Sequence, residues 1–185
     1  MDDKFLIKLA LVGDKNTGKT IFTNYLNNGF EKVDFDNYEK SLGAVSIKKE
    51  VLCNNHKFIF DIWDMAGEEK YERICKYIYR DAKIIFLFYE QNNRKTFITA
   101  KRRLNLIKEN CLYDVVIILI ANKYDINMDY IEKDDLVTDE EALEFVDENN
   151  ILFTHLSILE KNSNGVNELF EKVIKEYIKV QNIKI

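Results

Sequence analysis

The 185-residue chain has no proline and only six glycines. No Pro- or Gly-rich linker divides it, so its connections must be built from Asn, Asp and Lys. Of these, Asn is especially able to take left-handed backbone conformations. Cysteine is as scarce: Cys53, Cys75 and Cys111 lie far apart with no C-x-x-C spacing. That argues against a disulfide framework or a metal cluster and for a reducing, cytoplasmic setting. Long apolar runs are missing as well, and the longest present is too short to span a bilayer. Asp2 and Asp3 stand where a secretory leader would carry positive charge, and Gln181 to Ile185 contains no thiol for prenylation. A cytoplasmic protein is expected, reaching the cytoplasmic face of an endomembrane only through a lipidated tail that these residues do not supply. Basic residues are scattered and the formal net charge is −5, which argues against a protein that grips nucleic acid. The Lys101-Arg102-Arg103 cluster reads as a solvated helix face.

What is present centres on Gly13-Asp14-Lys15-Asn16-Thr17-Gly18-Lys19-Thr20, directly behind the apolar run Ile7 to Val12. This is a G-x-x-x-x-G-K-[ST] pattern between a strand and a helix. Its glycines let successive backbone N–H groups converge as an anion nest, and the following helix adds the positive end of its dipole. Lys19 would reach the outer phosphates of a nucleotide and Thr20 a magnesium ion. An ordinary Gly-containing turn with an incidental lysine is the alternative reading.

Along the chain, Phe5 to Val12 reads as a buried strand, followed by a helix that ends near Asn28-Gly29. Phe30 to Gly43 has neither period and resembles a functional loop. Val45 to Leu52 and Lys57 to Trp63 form an expected hairpin across Asn54-Asn55. The second strand delivers Asp64 to Glu69, where Asp64 is either a metal-binding carboxylate or a helix cap. A helix through Tyr71 to Tyr79, a strand over Lys83 to Tyr89 and a longer helix through Phe97 to Ile107 come next. Val115 to Ile120 is a continuous apolar strand that delivers Asn122-Lys123-Tyr124-Asp125. Met128 to Val137 reads as surface. Thr138 and Glu141 match a capping box for a helix with Leu143 and Val146 inward. Ile151 to Ile158 holds the last strand, Asn162 to Gly165 a turn, and Val166, Leu169, Phe170, Val173, Ile174 and Tyr177 a final helical stripe. The pattern predicts one α/β domain over residues 1–180 with a short tail at 181–185: a mostly parallel six-stranded sheet, one antiparallel edge strand, and helices on both faces. Every candidate chemical group falls just beyond a strand's C-terminal end.

Asn122 to Asp125 can also select a base. A carboxylate accepts from two adjacent donors, a lysine stem covers the ring, and an amide ties loops together. Guanine has that donor edge and adenine does not.

With these residues in view, the chain resembles the small GTPases of the Ras superfamily, the Rab branch in particular. The resemblance rests on Gly13 to Thr20, Lys40-Ser41-Leu42-Gly43, Asp61-Ile62-Trp63-Asp64-Met65-Ala66-Gly67-Glu68 and Asn122 to Asp125. It implies a P-loop G domain that binds GTP or GDP with Mg2+, hydrolyses GTP, and acts with effector, exchange-factor and GTPase-activating proteins in vesicle trafficking. Lys19 would then contact the β- and γ-phosphates, Thr20 and Ser41 the metal directly, and Asp64 the metal through water. Gly67 would sense the γ-phosphate, and Asn122, Lys123 and Asp125 would hold guanine, with Phe35 a candidate ring against the base. The last base loop is blurred. Ser157-Ile158-Leu159 fits the preceding strand and Leu159-Glu160-Lys161 the spacing to the last helix; Ser157 and Ile158 are preferred. Three departures bear on catalysis: Glu68 where the family mostly has Gln, Lys15 where it has a small residue, and Ser41 where it has Thr. Slow hydrolysis is expected, and a GTP-binding module without useful turnover stands as the alternative.

Overall fold

The computed structural model describes residues 4–29, 44–65, 72–122, 134–157 and 164–183. Its elements, in chain order, are β1 (Lys4–Gly13), α1 (Lys19–Asn28), β2 (Ala44–Cys53), β3 (His56–Met65), α2 (Glu72–Asp81), β4 (Ile84–Glu90), α3 (Arg94–Asn110), β5 (Val116–Asn122), α4 (Asp139–Asn149), β6 (Leu152–Leu156) and α5 (Asn164–Val180). The strands form one six-stranded sheet in the order β2-β3-β1-β4-β5-β6. Only the β2–β3 pair is antiparallel. This is the expected mostly parallel sheet with one antiparallel edge.

The apolar pattern explains why the sheet is covered twice. β4 and β5 are buried at every position, as central parallel strands must be when helices lie on both faces. On one face, Leu9, Leu11, Phe60, Phe86, Ile118 and Ile120 meet α1 through Phe22 and α5 through the stripe Val166, Leu169, Phe170, Val173, Ile174 and Tyr177. On the other, Ala10, Val12, Ile85, Leu87, Leu119 and Ala121 meet α2, α3 and α4. Phe170 stands edge-on to Phe60, with ring centroids 4.9 Å apart.

Asparagine takes the role that proline and glycine leave open. Among the described residues, every non-glycine position with positive φ is an Asn: Asn16, Asn54, Asn55, Asn150 and Asn182. Asn54 and Asn55, at φ 51° and 63°, make the hairpin turn, since two consecutive left-handed residues match the twist of the flanking strands. Asn150 closes α4 in the same conformation.

The structure corrects several local expectations. Val146 faces the core as expected, but its partner there is Ala142, while Leu143 points to solvent at 46% exposure. Val137, read as surface, is fully buried and donates its N–H to the Gln91 carbonyl. Arg103 is buried rather than part of a solvated cluster, and Lys101 lies over the Phe97 and Phe145 rings. Thr138 accepts from the Glu141 N–H at 3.3 Å, but the Glu141 carboxylate turns to Arg94, so only half of the capping box forms. α5 begins at Asn164, inside the span read as a turn.

Cys111 donates to the Tyr79 carbonyl, and burial pushes its thiol up from 9.0 to about 11. At pH 8 we expect Cys111 to alkylate roughly a hundredfold more slowly in the folded chain than in the unfolded one, recovering as pH approaches 11. Equal rates by mass spectrometry would contradict this. Phe170→Ala should cost about 3–5 kcal/mol in urea denaturation, and Leu143→Ala under about 0.5 kcal/mol.

Candidate functional site

The C-terminal ends of β1, β3, β5 and β6 bring the candidate residues to one edge of the sheet. β1 ends at Gly13 and the loop turns into α1 at Lys19. The turn is tight enough to require both glycines. A Cβ on Gly13 would lie 2.5 Å from the Phe88 carbonyl oxygen, and one on Gly18, at φ 96°, would lie 2.1 Å from Asn122 Nδ2. Asn16 adds a left-handed residue at φ 65°, and such alternation turns backbone N–H groups inward as an anion nest.

Lys19 is only 5% exposed. Its ammonium donates to the carbonyls of Gly13 at 3.1 Å and Asp14 at 2.6 Å and to Thr17 Oγ1 at 3.4 Å. The charge is thus held over the loop by three oxygen dipoles. Thr17, fully buried, donates to the Asp14 carbonyl at 2.9 Å and closes the loop internally. Lys15 is exposed, and Thr20 lies in the first turn of α1.

Asp64 is 1% exposed and sits in β3 beside Leu11 of β1. α2 begins only at Glu72, so Asp64 is a strand residue beside the loop and not a helix cap. Asn122 ends β5, and its Nδ2 donates to the Thr17 carbonyl at 2.8 Å. That bond joins segments 105 residues apart, linking the phosphate-type loop to the start of the Asn122–Asp125 motif. Ser157 follows β6, and its buried hydroxyl has no partner among the described residues, as suits a group that faces a ligand. Phe35, Ser41, Gly67, Glu68, Lys123, Asp125 and Ile158 lie outside the described residues.

These groups also fit the cofactors the sequence suggests. The two glycine positions leave no room for side chains, and a buried lysine and a buried carboxylate stand on either side of β1's end. A cation on an anion nest and a carboxylate for a hard metal are the donors that a magnesium nucleotide requires.

A glycine-shaped strand-to-helix loop on the carboxyl edge of this sheet defines a P-loop nucleoside-triphosphatase fold. Within that class the chain belongs to the Ras family, whose sequence profile matches residues 8–179. It is related to the Rab/Ypt branch at moderate identity. It is 30% identical to "Ras-related protein Rab-17" of Mus musculus over 176 residues, covering 94% of this chain and 77% of that protein. It is also 30% identical to "GTP-binding protein ypt3" of Schizosaccharomyces pombe over 177 residues, covering 95% and 78%.

Sequence reasoning missed the supports of this edge. Thr99 of α3 donates to Asp14 Oδ2 at 3.4 Å. Arg94 clamps segment 134–136 and α4, donating to the carbonyls of Asp134 and Leu136 and to both Glu141 oxygens. Gln91, just past β4, bridges to Asn122 through its backbone. No spacing announces these pairs; a polar residue closing an otherwise apolar strand was the one signal.

We expect Gly18→Ala to destabilise the chain by about 1–3 kcal/mol in urea titrations, through left-handed strain and loss of the Asn122 bond. In an Asn122→Ala background the same change should cost less, because the clash is gone. Additive losses would contradict the contact.

Proposed function

We propose that this protein is a Rab-like guanine-nucleotide switch that binds GTP and GDP and hydrolyses GTP slowly. The observation that carries the reading is the Asn122 Nδ2 bond to the Thr17 carbonyl at 2.8 Å. It fastens a loop suited to phosphates to the start of a motif suited to guanine. The continuous sheet supports a single G domain over residues 1–180.

In this reading the backbone N–H groups of residues 13–19 hold the α- and β-phosphates, and Lys19 spans the β- and γ-phosphates. Thr20, Ser41 and Asp64 would hold magnesium, and the metal would neutralise charge on the phosphates. Asp125 accepts from the guanine N1–H and 2-amino group, Lys123 covers the ring, and Phe35, Ser157 and Ile158 complete the base contacts. Water attacks the γ-phosphorus, a new P–O bond forms, and the bond to the β–γ bridging oxygen breaks, leaving GDP and inorganic phosphate and releasing a proton. Charge grows on the bridging oxygen, where Lys19 and the loop amides stabilise it.

Glu68 slows this step. Its carboxylate accepts a hydrogen bond from water but lacks the amide donor of glutamine, and it sets negative charge beside the γ-phosphate. Lys15 lies on the exposed side of the loop, where its ammonium supplies some of the positive charge that an external arginine brings. Such an arginine is worth roughly 10³–10⁵ in rate in this class of enzyme. Ordering of the segments around Ser41 and Glu68 by the γ-phosphate changes the surface offered to effectors, exchange factors and activating proteins. The kinship with Rab/Ypt proteins supports a role in vesicle trafficking at a cytoplasmic membrane face. No helix among the described residues is long and apolar enough to cross a membrane.

Affinity for GTP and GDP with magnesium, together with single-turnover hydrolysis, tests the proposal. We expect tight binding, slow turnover, and an increase of about tenfold or more in Glu68→Gln. Unchanged turnover in the variant would remove Glu68 as the brake. Tight binding with no turnover in either form would favour a binding module without catalysis, the second reading that Glu68 supports. Loss of nucleotide binding would overturn both.

A further inference from the structure

Gln91 stands one residue beyond β4 and is 8% exposed. Its backbone N–H donates to the Asn122 carbonyl at 3.1 Å, and its carbonyl accepts from the Val137 N–H at 2.9 Å. The base motif therefore begins on a peptide that Gln91 holds. Its side chain is anchored at one end: Nε2 donates to Asp139 Oδ1 at 3.0 Å, while buried Oε1 has no partner among the described residues. Asp139 Oδ1 also meets His155 Nε2 at 2.8 Å. A carboxylate only accepts, so Nε2 carries the proton. Three elements, the β4 end, the α4 start and β6, thus converge on one oxygen.

We propose that Asp139 is a positioning residue for the base-binding loop, acting through Gln91 on Asn122 and steadied by His155. The proposal rests on the guanine-nucleotide reading above. The hold on Gln91 keeps the Asn122 carbonyl in place, so weakening that hold speeds release of the base. The other ionisable groups on that side, among the described residues, are Glu141 of α4, Arg94 and Lys101 of α3, which pair with Glu141, and the Tyr89 hydroxyl of β4, held protonated chiefly by burial and also by Asp139 and Glu141. Lys172 of α5 sits on the Phe153 carbonyl.

The test follows the release of GDP and of inosine diphosphate, which lacks the 2-amino group, from the full chain with magnesium. We expect Asp139→Ala and Gln91→Ala each to speed GDP release roughly three- to tenfold and to narrow the preference for GDP over inosine diphosphate. The double variant should be no faster than the faster single one. Asp139→Asn, which keeps an acceptor for Gln91, should recover most of the preference. If Asp139→Ala lowers the melting temperature but leaves the GDP-to-inosine-diphosphate ratio at the wild-type value, Asp139 supports the fold alone and the proposal fails. Wild type that holds neither nucleotide would instead overturn the base-binding reading itself.

Discussion

The candidate site depends on one hydrogen bond, from Asn122 Nδ2 to the Thr17 carbonyl. It forms only because residue 18 has no side chain, since a Cβ there would stand 2.1 Å from the same nitrogen. Two distant loops are thereby held at a fixed separation without a bound ligand. Pre-arrangement of this kind lowers the ordering cost that binding would otherwise carry.

The remainder of the architecture serves to keep that separation. β1 lies between β3 and β4, and β5 between β4 and β6, so the loops after β1 and β5 are only two strands apart. Full burial of β4 and β5 makes this part of the sheet rigid, because close-packed interiors yield little. The aromatic contacts among Phe22, Phe60, Phe86 and Phe170 fasten α1 and α5 to the sheet beneath the loop.

The carboxyl edge is also a place where charge is concentrated and constrained. Lys19 is buried against carbonyl dipoles, and Asp64 is buried one strand away. Behind the base motif, Arg94 donates to Glu141, and Asp139 accepts from Gln91 and meets His155.

The periodicity of the sequence determined the strands, the α5 stripe and the sheet's one antiparallel edge, because burial of alternate or 3.6-spaced residues is a local matter of pattern. The P-loop was equally legible, since its chemistry needs particular residues at a particular spacing. Contacts between segments were not. The phase of α4, with Ala142 inward and Leu143 outward, was decided by the neighbouring sheet and α3, because either face of a weakly amphipathic helix suits its own backbone. Arg103 and Val137 were drawn inside by packing that no local signal specifies. Glu141 preferred Arg94 to its own helix end, since a charge-assisted bond from Nη1 to both carboxylate oxygens outweighs a cap bond. Asp139 met His155 and Gln91 because the fold brought three strand and helix ends together. Pairings of that kind depend on distances in space, and a sequence encodes them only through the whole structure it forms.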